Sequence, residues 1–162
     1  LPIGVSSESE ILDVWLSARL APLDTWIAQL QATSPRGLTI RAIKEVPIRQ
    51  AALPTLVTHA EYTLTPLDPA LDRETLEARV SDLLAAKQIE RVRHNGKRYN
   101  LRPLIRELAI AENGIILADL VAGDTGTGRA DELVDALGLT LVQVRAHRTQ
   151  LHLREAEASE AR

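Results

Sequence analysis

The chain has 162 residues, of which 45% are hydrophobic and 25% charged, and its formal net charge is −3. This composition is typical of one globular domain or two small ones, and the acidic balance excludes a protein that binds polyanions through its overall charge. The absence of Cys excludes disulfides and thiolate metal sites, and no apolar run approaches the roughly 18 residues that span a membrane. We expect a cytoplasmic protein that does not enter the membrane.

The first 47 residues predict a strand, a helix and a second strand. Apolar and polar residues alternate from Glu10 to Leu20 and again from Leu38 to Val46, which is typical of strands. Between them an apolar stripe recurs at helical spacing, at Leu23, Trp26, Ile27 and Leu30. We interpret residues 1–47 as the C-terminal half of a first ferredoxin-like unit. The chain begins at Leu1 and has no Met, so we expect a fragment of a longer chain.

Residues 54–154 predict a complete second unit, centred on a hairpin at Pro103–Ala122. Two apolar runs there flank Asn113-Gly114, and Asn-Gly between such runs is a strong hairpin signal because both residues accept positive φ. We expect this hairpin to lie in the middle of an antiparallel sheet. A strand at Leu56–Leu64 precedes it, and Leu141–Leu153 is the last strand.

Two helices complete the second unit. One carries the apolar stripe Leu76, Val80, Leu83 and Leu84 after an N-cap at Asp72, and the other spans Asp131–Leu137 and ends at Gly138. The resulting order of strand, helix, strand, strand, helix, strand is ferredoxin-like. The predicted fold class is therefore α+β, a two-layer α/β sandwich with helices on one face of antiparallel sheets. Residues 155–162 are a polar tail.

Five blocks of the chain, in their order and spacing, resemble the radical-SAM-linked protein family, a domain of unknown function. The blocks are LPIGVSSESEILDVWL at the start, AEYTLTP at Ala60–Pro66, NLRPLIREL at Asn100–Leu108, GRADELVDALGL at Gly128–Leu139 and HRTQL at His147–Leu151. The resemblance implies a partner, a radical SAM protein encoded beside the gene or fused to its product. It also implies a preceding strand and helix that are absent here. Two residues depart from the family pattern, Asn100 in place of an Asp and Ala130 in place of a Pro. The family has no established catalytic residues, so the resemblance assigns none.

A basic ribbon spans residues 87–107, where seven cations accompany two anions. Clustered cations beside an aromatic ring can bind a nucleic-acid backbone and stack a base. The predicted nucleic-acid contacts are Arg91, Arg93, Lys97, Arg98, Tyr99 and Arg102. The alternative is a solvated hairpin whose cations deter edge pairing.

Polar residues of the first and last strands of the second unit form another candidate site. His59 and Glu61 share one face of their strand, and Arg145 and His147 share one face of theirs. Because these strands are neighbours in a ferredoxin-like sheet, the four side chains could meet and perform acid–base chemistry. The alternative is cross-strand charge pairing. Arg148 breaks the alternation and indicates a bulge.

Other patterns indicate little chemistry. The Gly123–Gly128 loop precedes a helix but lacks the Lys-Ser/Thr of a phosphate-binding loop, so an ordinary turn is favoured. The spacing of the histidines indicates no metal site, and no cofactor is predicted.

The patterns and the resemblance together favour an accessory module of a radical SAM protein, with RNA as the first ligand class to test at the basic ribbon. One alternative is a protein–protein adaptor without nucleic-acid contact. Another is a metal-free nuclease that uses His59 or His147. A protein without its own catalytic activity is favoured over an enzyme.

Overall fold

The computed structural model describes residues 3–18, 22–93, 95–123 and 126–154. The chain divides into two compact units. One is Leu12–Ala51, called here the helical unit. The other joins Leu1–Ile11 to Ala52–Arg162 and is called the sheet unit. His94 and the predicted tail, residues 155–162, lie outside the described residues.

The helical unit contains α1, Leu23–Thr33, as the apolar stripe predicts. The predicted strands on either side of it are wrong, because residues 10–18 and 38–46 form no strand. The backbone groups of a strand need hydrogen bonds from a neighbouring strand. At residues 38–40 a side chain of α1 makes such bonds instead. The Gln31 amide donates to the Leu38 carbonyl at 2.9 Å and accepts from the Ile40 N–H at 2.8 Å. The half ferredoxin-like unit at residues 1–47 stays a prediction.

The sheet unit has an α+β fold of two layers. Its elements in chain order are β1 (Val5–Ser7), α2 (Leu53–Leu56), β2 (Val57–Pro66), α3 (Arg73–Ala85), β3 (Glu90–Val92), β4 (Arg98–Asn100), β5 (Ile105–Ile110), β6 (Ile116–Gly123), β7 (Gly126–Thr127), α4 (Ala130–Ala136) and β8 (Val144–Leu153). A 3₁₀ turn at Arg102–Leu104 precedes β5. None of the described helices combines the length and apolar character needed to cross a membrane.

The main sheet has the strand order β1-β8-β2-β6-β5, with β7 added to β6. The run β8-β2-β6-β5 is antiparallel throughout and is the ferredoxin-like order, so the predicted fold class is confirmed. The β5–β6 hairpin forms at Asn113-Gly114, where Gly114 has a φ of +78°. Its predicted place in the middle of the sheet is wrong, since β5 lies at the edge. Because α3 separates β2 from β5 along the chain, β6 rather than β5 pairs with β2. β5 then pairs with the other side of β6.

The core lies between the sheet and the helices α3 and α4. Alternate residues of β2 point into it, namely Ala60, Tyr62 and Leu64. The helices contribute Leu76, Val80, Leu83, Ala130, Leu133 and Val134. Nearly all of this core is aliphatic, as expected for a chain without Phe.

Both helix ends that the sequence marks are formed as predicted. The Asp72 carboxylate accepts from the Thr75 N–H at 2.7 Å and caps α3. Gly138 follows α4 with a φ of +66°, and its N–H donates to the Asp135 carbonyl at 2.9 Å. The Leu139 N–H donates to the Val134 carbonyl at 3.0 Å, which completes a Schellman motif. These contacts fix where α3 begins and where α4 ends above the sheet.

Candidate functional site

The face of the sheet opposite α3 and α4 gathers polar side chains from several strands. On β2 the residues that alternate with the buried ones are polar, and they include His59 and Glu61. The register places His59 opposite His152 of β8, and Glu61 opposite Asp119 of β6. These side chains therefore meet on one surface, which we call the polar face.

Five residues of the polar face form a contact group, the histidine cluster: His59, Glu61, Arg106, Asp119 and His152. The rings of His59 and His152 stack with centroids 4.1 Å apart and an interplanar angle of 5°. Nε2 of His152 lies 2.7 Å from Glu61 Oε1, and Nε2 of His59 lies 4.0 Å from Asp119 Oδ2. Arg106 Nη1 approaches the same Asp119 oxygen at 3.1 Å. Each imidazole thus faces one carboxylate.

The surroundings of His59 favour its neutral form. Burial lowers the pKa of His59 below its ordinary value, although Asp119 acts in the opposite direction. Arg106 and His152 lower it further, because a second positive charge nearby disfavours protonation. The side chain of His59 is 21% exposed. A neutral, partly exposed imidazole can accept a proton, so the cluster has the chemistry of a proton-binding group.

The structure brings His59 and Glu61 together but does not bring His147 to them. His147 lies opposite Thr63, and its Nδ1 is 2.8 Å from the Ser6 hydroxyl. Its Nε2 is 3.2 Å from Glu8 Oε1. Arg145 lies further along, opposite Thr65. The four side chains weighed as one acid–base group therefore divide between two places, and the nuclease that would use His59 or His147 stays a prediction.

The register of β2 on β8 places His147 opposite Thr63, four residues along β2 from His59, and a bulge then brings His152 opposite His59. The register of β2 on β8 shifts at Thr58 and again at Thr149, each of which has no partner across the pair. The bulge expected near Arg148 is confirmed. It moves His152, an even-numbered residue, onto the face that Arg145 and His147 occupy. The broken alternation at Arg148 was the signal that could have found His152.

The basic hairpin, β3 and β4 with their turn, uses some of its cations internally. Arg91 points to α4, with Nη1 3.1 Å from Asp135 Oδ2 and Nε 3.9 Å from Glu132 Oε2. Burial raises the pKa of Tyr99, and the Glu132 carboxylate adds to this effect. Arg91 therefore attaches the hairpin to α4, and Tyr99 packs against the core.

Arg102 also has a structural role. Its Nε and Nη2 donate to the Leu84 carbonyl at the end of α3, and its Nη1 donates to the Ile105 carbonyl, all at 3.3 Å. Asn100, where the sequence resemblance leads us to expect an Asp, accepts with Oδ1 from the N–H groups of Ile89 at 2.8 Å and Arg102 at 3.0 Å. An Asp could accept the same two bonds, so the substitution preserves this local connection.

The remaining predicted contacts are the exposed Arg93, Lys97 and Arg98 and the half-buried Tyr99, a group that we call the hairpin tip. The guanidinium of Arg93 lies 4.9 Å from the centroid of the Tyr99 ring. Arg98 has a long, exposed ion pair with Glu90 at 3.7 Å. Weak exposed pairs of this kind leave the charge available to a ligand.

An unpredicted feature lies in the helical unit. Four large apolar side chains within five residues are exposed: Leu12 82%, Val14 65%, Trp15 72% and Leu16 54%. We call residues 12–16 the apolar segment. Its alternation is the signal that predicted a strand, and without a paired neighbour both of its sides face solvent.

Two other candidates provide no site. Asp124 and Thr125 of the Gly-rich loop lie outside the described residues, Gly123 is the last residue of β6, and Gly126–Thr127 form β7. Across the described part of the chain, no three His, Asp or Glu side chains are grouped so that they could hold a metal ion.

Comparison with known proteins gives one match. The model of a family described as "Uncharacterized protein conserved in bacteria (DUF2344)" matches residues 1–130. No curated protein and no solved structure matches the chain.

Proposed function

The chain belongs to the DUF2344 family of uncharacterized proteins conserved in bacteria, and from this premise we propose that it is an accessory module that docks onto a radical SAM protein. The partner is the one that the sequence resemblance implies. In this proposal the chain supplies a binding surface, and the radical chemistry belongs to the partner.

The apolar segment carries the proposal. Single exposed apolar residues are ordinary, but a contiguous group of them is typical of a protein interface. Leu12, Val14 and Trp15 are each more than half exposed within four residues. Aromatic anchors such as Trp15 contribute much of the affinity when an interface forms.

The histidine cluster supports a non-catalytic role. His152 is bonded to Glu61, and Nδ1 of His59 lies 2.8 Å from the Thr58 hydroxyl. Asp119 is paired with Arg106. Only the Oδ1 atom of Asp119 is buried without a hydrogen-bond partner in this group, and the carboxylates would repel an anionic substrate.

The proposal is tested by co-purification with the radical SAM protein encoded beside the gene. The test variant combines Leu12→Ser, Val14→Ser and Trp15→Ser. We expect the parent chain to retain the partner and the variant to lose it, with at least a roughly tenfold fall in affinity for the removal of an aromatic anchor.

A matched control combines Leu38→Ser, Val46→Ser and Ile48→Ser, which removes three exposed apolar side chains from the same unit. The control is expected to bind like the parent. Equal binding by both variants, or no binding by the parent, would refute docking through the apolar segment.

RNA contact is a second candidate function, and the hairpin tip favours it. Arg93 and Tyr99 form a cation–π pair, and Lys97 and Arg98 are exposed beside them. Such a surface can contact phosphates and stack one base. This candidate is compatible with docking, because the apolar segment belongs to a different unit.

Single-stranded RNA binding measured over a range of salt concentrations tests this candidate. The variant Lys97→Ala/Arg98→Ala should bind more weakly, and its slope of log affinity against log salt should fall by roughly 1.4. The control Arg36→Ala/Arg49→Ala removes two exposed cations of the helical unit and should leave the slope unchanged. Binding that is absent in the parent, or equally affected by both variants, would refute RNA contact at the hairpin tip.

A further inference from the structure

The stacked histidines lie in a short stretch of the β2–β8 pair that is bounded by irregularities. Three residue pairs, from Glu61–Gln150 to His59–His152, lie between the bulges at Thr149 and Thr58. Beyond them, β8 ends with Leu153 opposite Val57. A stretch separated from the rest of a strand by a bulge can open without unfolding the whole sheet.

Backbone and side-chain bonds hold this end of β8. The Arg154 N–H donates to the Leu56 carbonyl at 2.8 Å. The Thr58 hydroxyl donates to the His152 carbonyl at 3.2 Å. Three side-chain contacts add to these bonds: the parallel stack of His59 on His152, the His152–Glu61 bond, and the bond of the Arg154 guanidinium to the Thr55 carbonyl.

The charges around the stack can balance one imidazolium better than two. Glu61 of β2 is bonded to His152 of β8 and compensates a proton there. The group facing His59 from β6 is Asp119, which lies 4.0 Å away and is already paired with Arg106 of β5. A proton on both rings would place like charges about 4 Å apart, a strongly repulsive arrangement at a partly buried site.

We propose that the His59–His152 stack makes the end of β8 pH-sensitive. This end of β8 stays paired with β2 while at most one ring is protonated, and it separates locally from β2 when both rings are protonated. The opening includes residues 150–154, and the β5–β6 hairpin stays paired. Histidine is suited to this role because its ordinary pKa lies near 6.5, and the surroundings of His59 lower its pKa so that the second proton is added on acidification below that value. The proposal does not depend on the docking or RNA functions above.

Amide hydrogen exchange followed by NMR tests the proposal. The reporter is the Arg154 amide, and the reference is the Ala111 amide, which donates to the Ile115 carbonyl at 2.8 Å within the hairpin. Between about pH 7.5 and about pH 5 we expect the protection factor of Arg154 to fall roughly tenfold, the effect of one unit of pKa difference, and that of Ala111 to stay constant.

Three variants identify the cause. His59→Gln removes the ring whose protonation the site disfavours and should abolish the pH dependence of Arg154 protection, whereas His152→Gln removes only the like-charge contact, leaves His59 partly buried and should reduce that dependence. His147→Gln changes a histidine of the same face that is not stacked, and it should behave like the parent. The proposal is overturned if Arg154 protection is independent of pH in the parent, if its fall persists in His59→Gln or is undiminished in His152→Gln, or if Ala111 loses protection in parallel.

Discussion

Replacement of Arg102 by Met separates a structural arginine from a ligand-binding one. Arg102 joins the end of α3 to the start of β5 through the carbonyls of Leu84 and Ile105. A charged donor contributes about 1.5–3 kcal/mol per hydrogen bond. At 3.3 Å these bonds exceed the usual length of about 2.9–3.0 Å, so we expect both acceptors together to contribute about 2 kcal/mol. Met keeps most of the stem volume and removes every donor.

Urea unfolding followed by far-UV circular dichroism measures this effect. Arg102→Met should lower the free energy of unfolding by about 2 kcal/mol with an unchanged m value. Arg98→Met is the matched control, because Arg98 is 78% exposed and has only a 3.7 Å pair with Glu90. That control should change stability by less than about 0.5 kcal/mol. Equal destabilisation by the two variants, or none by Arg102→Met, would contradict the structural role.

Three further predictions concern turns and caps, each measured by urea unfolding. Gly123→Ala would place a Cβ 2.4 Å from the Val57 carbonyl oxygen and should cost about 3 kcal/mol; a cost near zero would mean that the backbone adjusts freely. Gly138→Ala forces a side chain into φ +66° and should cost about 1–2 kcal/mol, so an unchanged midpoint would refute the strained cap. The Thr75 N–H lowers the pKa of Asp72, so the stability from this group is present above the ordinary Asp pKa and is lost as pH falls through the lowered value. Asp72→Asn keeps the acceptor and should remove that part of the pH dependence; a profile identical to the parent would contradict the assignment.

Local signals in the sequence predicted the elements of the sheet unit well. Asn113-Gly114 forms its turn and Asp72 caps its helix because each needs only its nearest neighbours along the chain. The apolar stripe of α3 is buried as expected. The short strand β1 was missed, because Val5–Ser7 lies in a turn-rich stretch and is a strand only through its pairing with β8.

The candidate site depended on information that periodicity does not contain. Alternation shows which residues share a face, and it placed His59 and Glu61 correctly together. It does not show the register of two strands distant in sequence, which places His147 opposite Thr63, nor the bulge at Thr149, which brings His152 opposite His59. The same limit applies to the apolar segment. Its residues alternate as in a strand, but no strand pairs with it in the described part of the helical unit.

The pairing of β1 with β8 has a consequence for synthesis. Val5 lies against Ala146, so the two partners are separated by about 140 residues of chain. During synthesis β1 cannot pair until β8 has left the ribosome, after nearly the whole sheet unit. Contacts between residues so distant in sequence also form slowly. A nascent chain halted before Val144 would leave one side of β2 open to strands of other molecules. We expect pulse-labelling during refolding to show β1 among the last segments to gain protection.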